Sequence, residues 1–167
     1  KYIKKSPASG NLYVQYGNLL DRQGKQVEAG EQYEKAISAL APDYNSVYRL
    51  GSQFTNSNKY DFAIRVYERG GELLKDKNIF ALNLGELYRR KGDPEKMITN
   101  YLNSLSSNGA TSVQTVQIYL ARYLDPEEFP KLQEQLYTRI QEEESADFIE
   151  LLAWSFTQQK DYKNAFR

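Results

Sequence analysis

One step of 34 residues recurs along this chain and constrains its fold more than any other feature. Gly17, Gly51 and Gly85 stand at that spacing, and so do Ala29, Ala63 and Met97. Tyr33, Tyr67 and Tyr101 form another column, Ala36, Gly70 and Ser104 a fourth, and Gly24, Asn58 and Gly92 a column of helix breakers. Large apolar residues accompany the glycines in phase: Tyr16, Leu50 and Leu84 before them, Leu20, Phe54 and Tyr88 after. The phase returns 68 residues beyond Gly85, at Ala153, with Leu152 before it, Phe156 after it and Ala165 further on. A fixed period of this length marks a repeat architecture in which each copy is one supersecondary unit.

Within each period the apolar spacing is helical. Tyr13, Tyr16, Gly17 and Leu20 follow the stripe of an amphipathic helix, and Val27, Tyr33, Ile37 and Leu40 make a second one. Arg22-Gln23-Gly24-Lys25, Ser57-Asn58-Lys59 and Lys91-Gly92-Asp93-Pro94 read as turns between them. Gly and Asn readily take the left-handed conformation that ends a helix, while Asp93 and Pro94 supply an N-cap and a first-turn proline. The small column, Gly17 with Ala29, is expected where the two helices press together. The Tyr33, Tyr67, Tyr101 column is expected to fill the space between one pair and the next. Stacked pairs share a core that one pair cannot build alone. The expected fold is therefore all-α: a right-handed superhelical solenoid of antiparallel helix pairs.

Gly17 with Ala29, Tyr33 and Ala36, repeated at this step, resembles the tetratricopeptide repeat. The resemblance covers residues 11–109 in three copies and a partial copy from about 146. It implies a lead-in at 1–10 and a single solenoid over 11–167, with repeats at 11–43, 44–77 and 78–111, an irregular 112–145 and a truncated 146–167. In the irregular stretch Tyr119 occupies the small column. Ala121, Pro130 and Tyr137 restore the phase of Pro94 and Tyr101, which gives a fourth repeat with a longer entry. Gly70-Gly71 reads as a helix stop, and Lys160 replaces the turn glycine in the last copy. Asp161 to Arg167 reads as the opening of a further helix, so the chain is expected to be a piece of a longer protein. Its Asn, Lys and Tyr usage points to a bacterial genome.

The composition removes much of enzymology. There is no Cys and no His, which leaves no thiolate nucleophile, imidazole base or zinc site built on those ligands. No Gly-Lys-Ser/Thr phosphate loop occurs. Glu142-Glu143-Glu144 cannot converge on one ion, because neighbours on a helix point about 100° apart. No enzymatic activity, cofactor or metal is expected. Lys plus Arg and Asp plus Glu are both 22, a balance unlike the basic excess of nucleic-acid binders. No run reaches the roughly 18 apolar residues of a membrane span. The basic start, Lys1 to Pro7, leads into no apolar signal core. Absence of cysteine is compatible with cytoplasm and cell envelope alike.

The expected function is a protein-interaction scaffold that takes an extended peptide or a partner helix in its concave groove. In the family it resembles, first helices line that groove, so their non-core columns nominate the contacts. These are Val14, Tyr48 and Leu82; Gln15, Arg49 and Asn83; Asn18, Ser52 and Glu86; and Arg89 from a fourth column with Asp21 and Thr55. Asn11 and Asn45 stand at the mouths. Tyr48 and Arg49 stand out, since Tyr and Arg are enriched among binding hot spots. Tyr13, Tyr16, Tyr33, Tyr60, Tyr67, Tyr88, Tyr101, Tyr137 and Tyr162 are assigned to packing. Repeats that clamp acidic chaperone tails carry Lys, Asn and Arg at positions matching Val14, Asn18, Arg49, Ile79 and Asn83. Only Asn18 agrees, so no such clamp is expected. The alternative is a spacer or oligomerisation module with the groove filled by its own chain. Self-association would be helped by uneven charge: residues 1–97 hold 16 Lys/Arg against 12 Asp/Glu, and residues 98–167 hold 6 against 10.

Overall fold

In the computed structural model, residues 7–107 and 111–160 are described. The described residues form an all-α chain. Its helices are α1 (Pro7–Arg22), α2 (Gln26–Ser38), α3 (Tyr44–Asn56), α4 (Tyr60–Leu74), α5 (Ala81–Lys91), α6 (Pro94–Asn103), α7 (Val113–Tyr123), α8 (Phe129–Glu142) and α9 (Ala146–Gln158). The chain divides into two compact units, Lys1–Phe80 and Ala81–Arg167. In the first, α1 closes on α2 and α3 on α4; in the second, α5 closes on α6. Helix α1 begins at Pro7, inside the expected lead-in, where proline's fixed φ suits a first helical turn.

The turns between paired helices are one structure used three times. Gly24, Asn58 and Gly92 take left-handed φ values of 76°, 56° and 71°. Their amides donate to Asp21, Thr55 and Arg89, and the next amides, on Lys25, Lys59 and Asp93, reach back to Leu20, Phe54 and Tyr88. These bonds satisfy carbonyls that the helix end would otherwise leave open. Helix α6 starts on Asp93, whose carboxylate accepts from the Lys96 amide at 3.0 Å, with Pro94 in the first turn.

The close-approach column works through the tyrosine. A Cβ on Gly17, Gly51 or Gly85 would overlap the ring of Tyr33, Tyr67 or Tyr101 of the same pair. Each tyrosine therefore lies across the glycine of its own repeat, not only between repeats as expected. Tyr33 also reaches the next pair, with its ring 5.3 Å from Phe54 and 4.9 Å from Phe62. Tyr33 and Tyr101 are almost wholly buried.

Several expectations are corrected. Gly70 and Gly71 do not stop a helix: α4 runs through them to Leu74 and ends on Lys75 in the left-handed region, φ 59°. Gly70 is small because a Cβ there would meet Val47 and Phe80. Tyr16 and Tyr137 are about half exposed and lie outside the core. Val27 is more exposed still. In 112–145, Ala121 and Tyr137 do not resume the small and tyrosine columns; Leu120, Leu132 and Leu136 fill the core instead. Helix α8 closes on α9 rather than α7. In that pair the fully buried Ser155 of α9 accepts from Gln133 of α8 at 3.3 Å. The expectations for Tyr162, Ala165 and the helix opening at Asp161 lie outside the described residues.

Candidate functional site

Helix α3 carries the site in the first unit. Asp43 caps it, accepting from the Ser46 amide at 2.9 Å. Hydrogen bonds from the Ser46 hydroxyl and backbone hold the Asp43 carboxyl below the usual range, with a smaller contribution from the Arg49 charge. That start sets which face of α3 turns toward α1 and the end of α2. Between these elements lies a cleft of about 890 Å³. Its walls are Gly10 and Asn11 of α1, Ala36, Ala39, Leu40 and Ala41 at the end of α2, and Ser46, Tyr48, Arg49, Ser52, Gln53 and Asn56 of α3, among others.

The chemistry of this lining is specific. Arg49 is its one charged side chain, is exposed, and joins none of the ion pairs found among the described residues. Asn11, Gln53 and Asn56 contribute amides, and Gln53 donates weakly to Asn11 across the opening at 3.5 Å. Tyr48 is 47% exposed. Its ring lies parallel to Tyr44 at 6.2 Å, and Tyr44 in turn stacks on the buried Phe80 at 5.0 Å. Tyr48 therefore presents an apolar face backed by a stack rather than by solvent.

In the second unit the first helix is α5. Leu82 is half-buried against the core that Met97, Leu120 and Leu136 share, and Asn83 beside it is half-buried too. Glu86 receives two bonds from Arg89, at 2.8 and 2.7 Å, and one from Arg90 at 2.9 Å. Hydrogen bonding from Arg89 foremost holds the Glu86 carboxyl below the usual glutamate range. The Arg89 guanidinium also lies 4.4 Å from the centre of the Tyr123 ring.

The column Asn18, Ser52, Glu86 has an internal duty that the sequence did not reveal. The Tyr33 hydroxyl donates to Asn18 at 2.9 Å, and the Tyr67 hydroxyl meets Ser52 at 3.5 Å. In the third pair Glu86 is occupied by its arginines, and the buried Tyr101 hydroxyl has no hydrogen-bond partner among the described residues.

Of the nominated residues, Tyr48, Arg49 and Ser52 share the first-unit cleft, and Glu86 and Arg89 pair in the second unit. Gln15 is exposed on α1 but does not line the cleft. Val14 must be corrected: only 1% exposed, it is a core residue and offers a partner nothing. Reasoning from first-helix columns missed the end of α2, Ala36 to Ala41, which builds one wall. It also missed Gln53, whose place one turn beyond Arg49 would have put it on the same face. Among the described residues no group of His, Cys, Asp and Glu could hold a metal, and no helix is long and apolar enough to cross a membrane.

Residues 80–111, spanning α5 and α6, match the family model described as the tetratricopeptide repeat. No curated protein matches the sequence. Among solved structures the chain is similar to MamA 41-end from Desulfovibrio magneticus RS-1, at 16% identity and a TM-score of 0.46, over 95% of this chain and 89% of that one. The glycine–tyrosine helix pair of this matched segment recurs at 17/33 and 51/67, so the described chain is an all-α helical repeat in which residues 80–111 are the part that matches the tetratricopeptide repeat.

Proposed function

We propose that the chain holds an extended peptide segment of a partner protein, or a partner helix, against its first helices. In the first unit Tyr48 and Arg49 make the central contacts. The observation that carries this reading is the cleft of about 890 Å³, where one cation stands among amides, hydroxyls and small apolar groups. An extended backbone carries unpaired N–H and C=O groups, which Asn11, Gln53 and Asn56 can satisfy. Tyr48, Ala39 and Leu40 offer apolar contact to side chains, and Arg49 offers one strong polar anchor. A single guanidinium is too little for a phosphate backbone, so the partner is protein rather than nucleic acid. In the second unit Leu82, Asn83, Glu86 and Arg89 occupy the corresponding columns.

Peptides selected from a displayed random library on the intact chain test this. Their affinity is expected to fall at least about tenfold in a Tyr48→Ala, Arg49→Glu variant whose circular dichroism is unchanged. Equal affinity would remove the cleft from the interface.

One observation favours a second reading, a spacer that associates with itself. Leu12, Tyr16 and Leu19 lie on one face of α1 and are 57%, 52% and 51% exposed. Their counterparts at Leu50 and Phe80 are buried. Sedimentation velocity across a hundredfold concentration range, with a mass that stays monomeric throughout, would dismiss self-association.

A further inference from the structure

The polar lining of the cleft beside α3 leans toward donors. Arg49, its one charged side chain, carries only N–H groups, and no carboxylate stands in the walls. Asn11 already accepts from Gln53 at 3.5 Å. The three serine hydroxyls of the lining are occupied within the chain: Ser46 bonds to Asp43, Ser52 meets Tyr67 at 3.5 Å, and Ser57 donates to the Gln53 carbonyl at 3.0 Å. Guanidinium and carboxamide N–H groups are therefore the main polar offer to a ligand. Beside them stands an aromatic surface. Tyr44 and Tyr48, 46% and 47% exposed, lie parallel one helical turn apart and are braced by the buried Phe80. The end of α2 adds the small residues Ala36, Ala39 and Ala41, which let a ligand backbone come close.

We infer that the occupant of this cleft is a proline-rich segment of a partner protein in the polyproline II conformation. Its pyrrolidine rings lie on Tyr48 and Tyr44, and its carbonyls accept from Arg49 and from the amides of Asn11 and Asn56. The complementarity is one of donors and acceptors. An ordinary extended peptide presents N–H and C=O groups in equal number, whereas each proline removes an N–H and keeps its C=O. A run of prolines is thus a ligand of acceptors alone, facing a lining of donors. Polyproline II makes no internal hydrogen bonds, so those carbonyls are open to the cleft. The helix is also ordered before it binds, which lowers the entropy cost of association. The flat ring faces are what an exposed tyrosine can pack against. The inference rests on the reading of the cleft as a peptide site and adds to it the chemistry of the peptide.

The probe is decaproline with blocked termini, titrated by isothermal calorimetry into the intact chain. The control is a blocked decapeptide of alternating glycine and serine, equally uncharged but with every N–H in place. Decaproline is expected to bind and the control not. Because the ligand carries no charge, its affinity should stay within about twofold between low and high salt. Tyr48→Ala, with circular dichroism unchanged, should weaken binding at least about tenfold. Tyr48→Phe should bind like wild type, since the ring rather than the hydroxyl makes the contact, and Arg49→Gln should lose affinity severalfold. No binding, equal binding of the control, a steep fall with salt, or affinity indifferent to Tyr48 would overturn the inference. If library-selected peptides then lack proline but still depend on Tyr48 and Arg49, the cleft reading survives and only the proline assignment falls. If they are indifferent to both residues, the two readings fall together.

Discussion

Three non-glycine residues, Asn58, Lys75 and Lys160, hold left-handed φ values of 56°, 59° and 60°. For an L-residue with a Cβ this conformation costs about 1 kcal/mol or more, least for Asn. Lys160 stands 68 residues beyond Gly92 in the breaker column, and its amide donates to Thr157 at 3.0 Å as the glycine amides do to their own helices. The geometry of the turn is kept although the glycine is gone. Lys75→Gly is therefore expected to raise stability by about 1 kcal/mol, and Gly92→Ala to lower it by a similar amount, both read from urea denaturation midpoints. The tyrosine hydroxyls separate in the same way. Tyr33→Phe removes a bond to half-buried Asn18 and should cost about 1 kcal/mol. Tyr101→Phe removes a hydroxyl that bonds to nothing among the described residues and should cost nothing. Glu86 adds a pH dependence of known sign. Its folded carboxyl is held low by Arg89, so its contribution is complete above the ordinary carboxylate range and is lost as pH falls through the folded value. Melting temperatures of wild type and Glu86→Gln should differ at pH 7 and converge under acid. A gap that widened on acidification would refute that assignment.

Between elements, the pairing of helices is governed by what stands opposite the tyrosine. Where glycine does, at 17, 51 and 85, the two helices of a pair close together over the ring. Gly51→Ala would place a methyl inside the Tyr67 ring and is expected to cost about 2 kcal/mol through overpacking. Gly51→Ala combined with Tyr67→Leu should recover part of that loss, since the clash rather than helix propensity causes it; alanine alone would favour a helix. Strict additivity of the two substitutions would reject this explanation. This logic also shows why one part of the fold was legible in the sequence and another was not. Glycine and tyrosine columns at a constant step announce three pairs, because each residue type is forced by one steric relation. In 112–145 that relation lapses. Leu120, Leu132 and Leu136 are generic core residues that carry no phase, so a fourth pair could be imagined at Ala121 and Tyr137 where α8 in fact closes on α9. The candidate site was half legible for the same reason. Phase placed Tyr48 and Arg49 on the face of α3 that lines the cleft, but the burial of Val14 and the wall built by the end of α2 depend on packing between helices, which periodicity does not encode.

At the scale of the whole chain, a helical repeat should transmit perturbation only to its neighbours, because each pair is stabilised by itself and by the pairs it touches. The two compact units, divided after Phe80, give that principle a sharp test. Gly51→Ala strikes the contact between α3 and α4 through the Tyr67 ring. Tyr67 packs on Phe80 at 5.2 Å and Phe80 on Tyr44 at 5.0 Å, so the strain spreads along the aromatic residues of the first unit. The core of α8 and α9 is made by Leu132, Leu136, Phe148 and Leu151, residues of the second unit. Native-state hydrogen exchange on the Gly51→Ala chain should therefore show protection falling in α3 and α4. Protection should change least in α8 and α9, where amides are expected to exchange at wild-type rates within about twofold. A uniform loss of protection in every helix would mean that the chain opens as one cooperative unit. The stability of the cleft at Tyr48 and Arg49, proposed above to hold a partner, would then be set by the molecule as a whole. Loss confined to the first unit would mean that a ligand in that cleft could order its own surroundings while the helices of the second unit keep their own local stability.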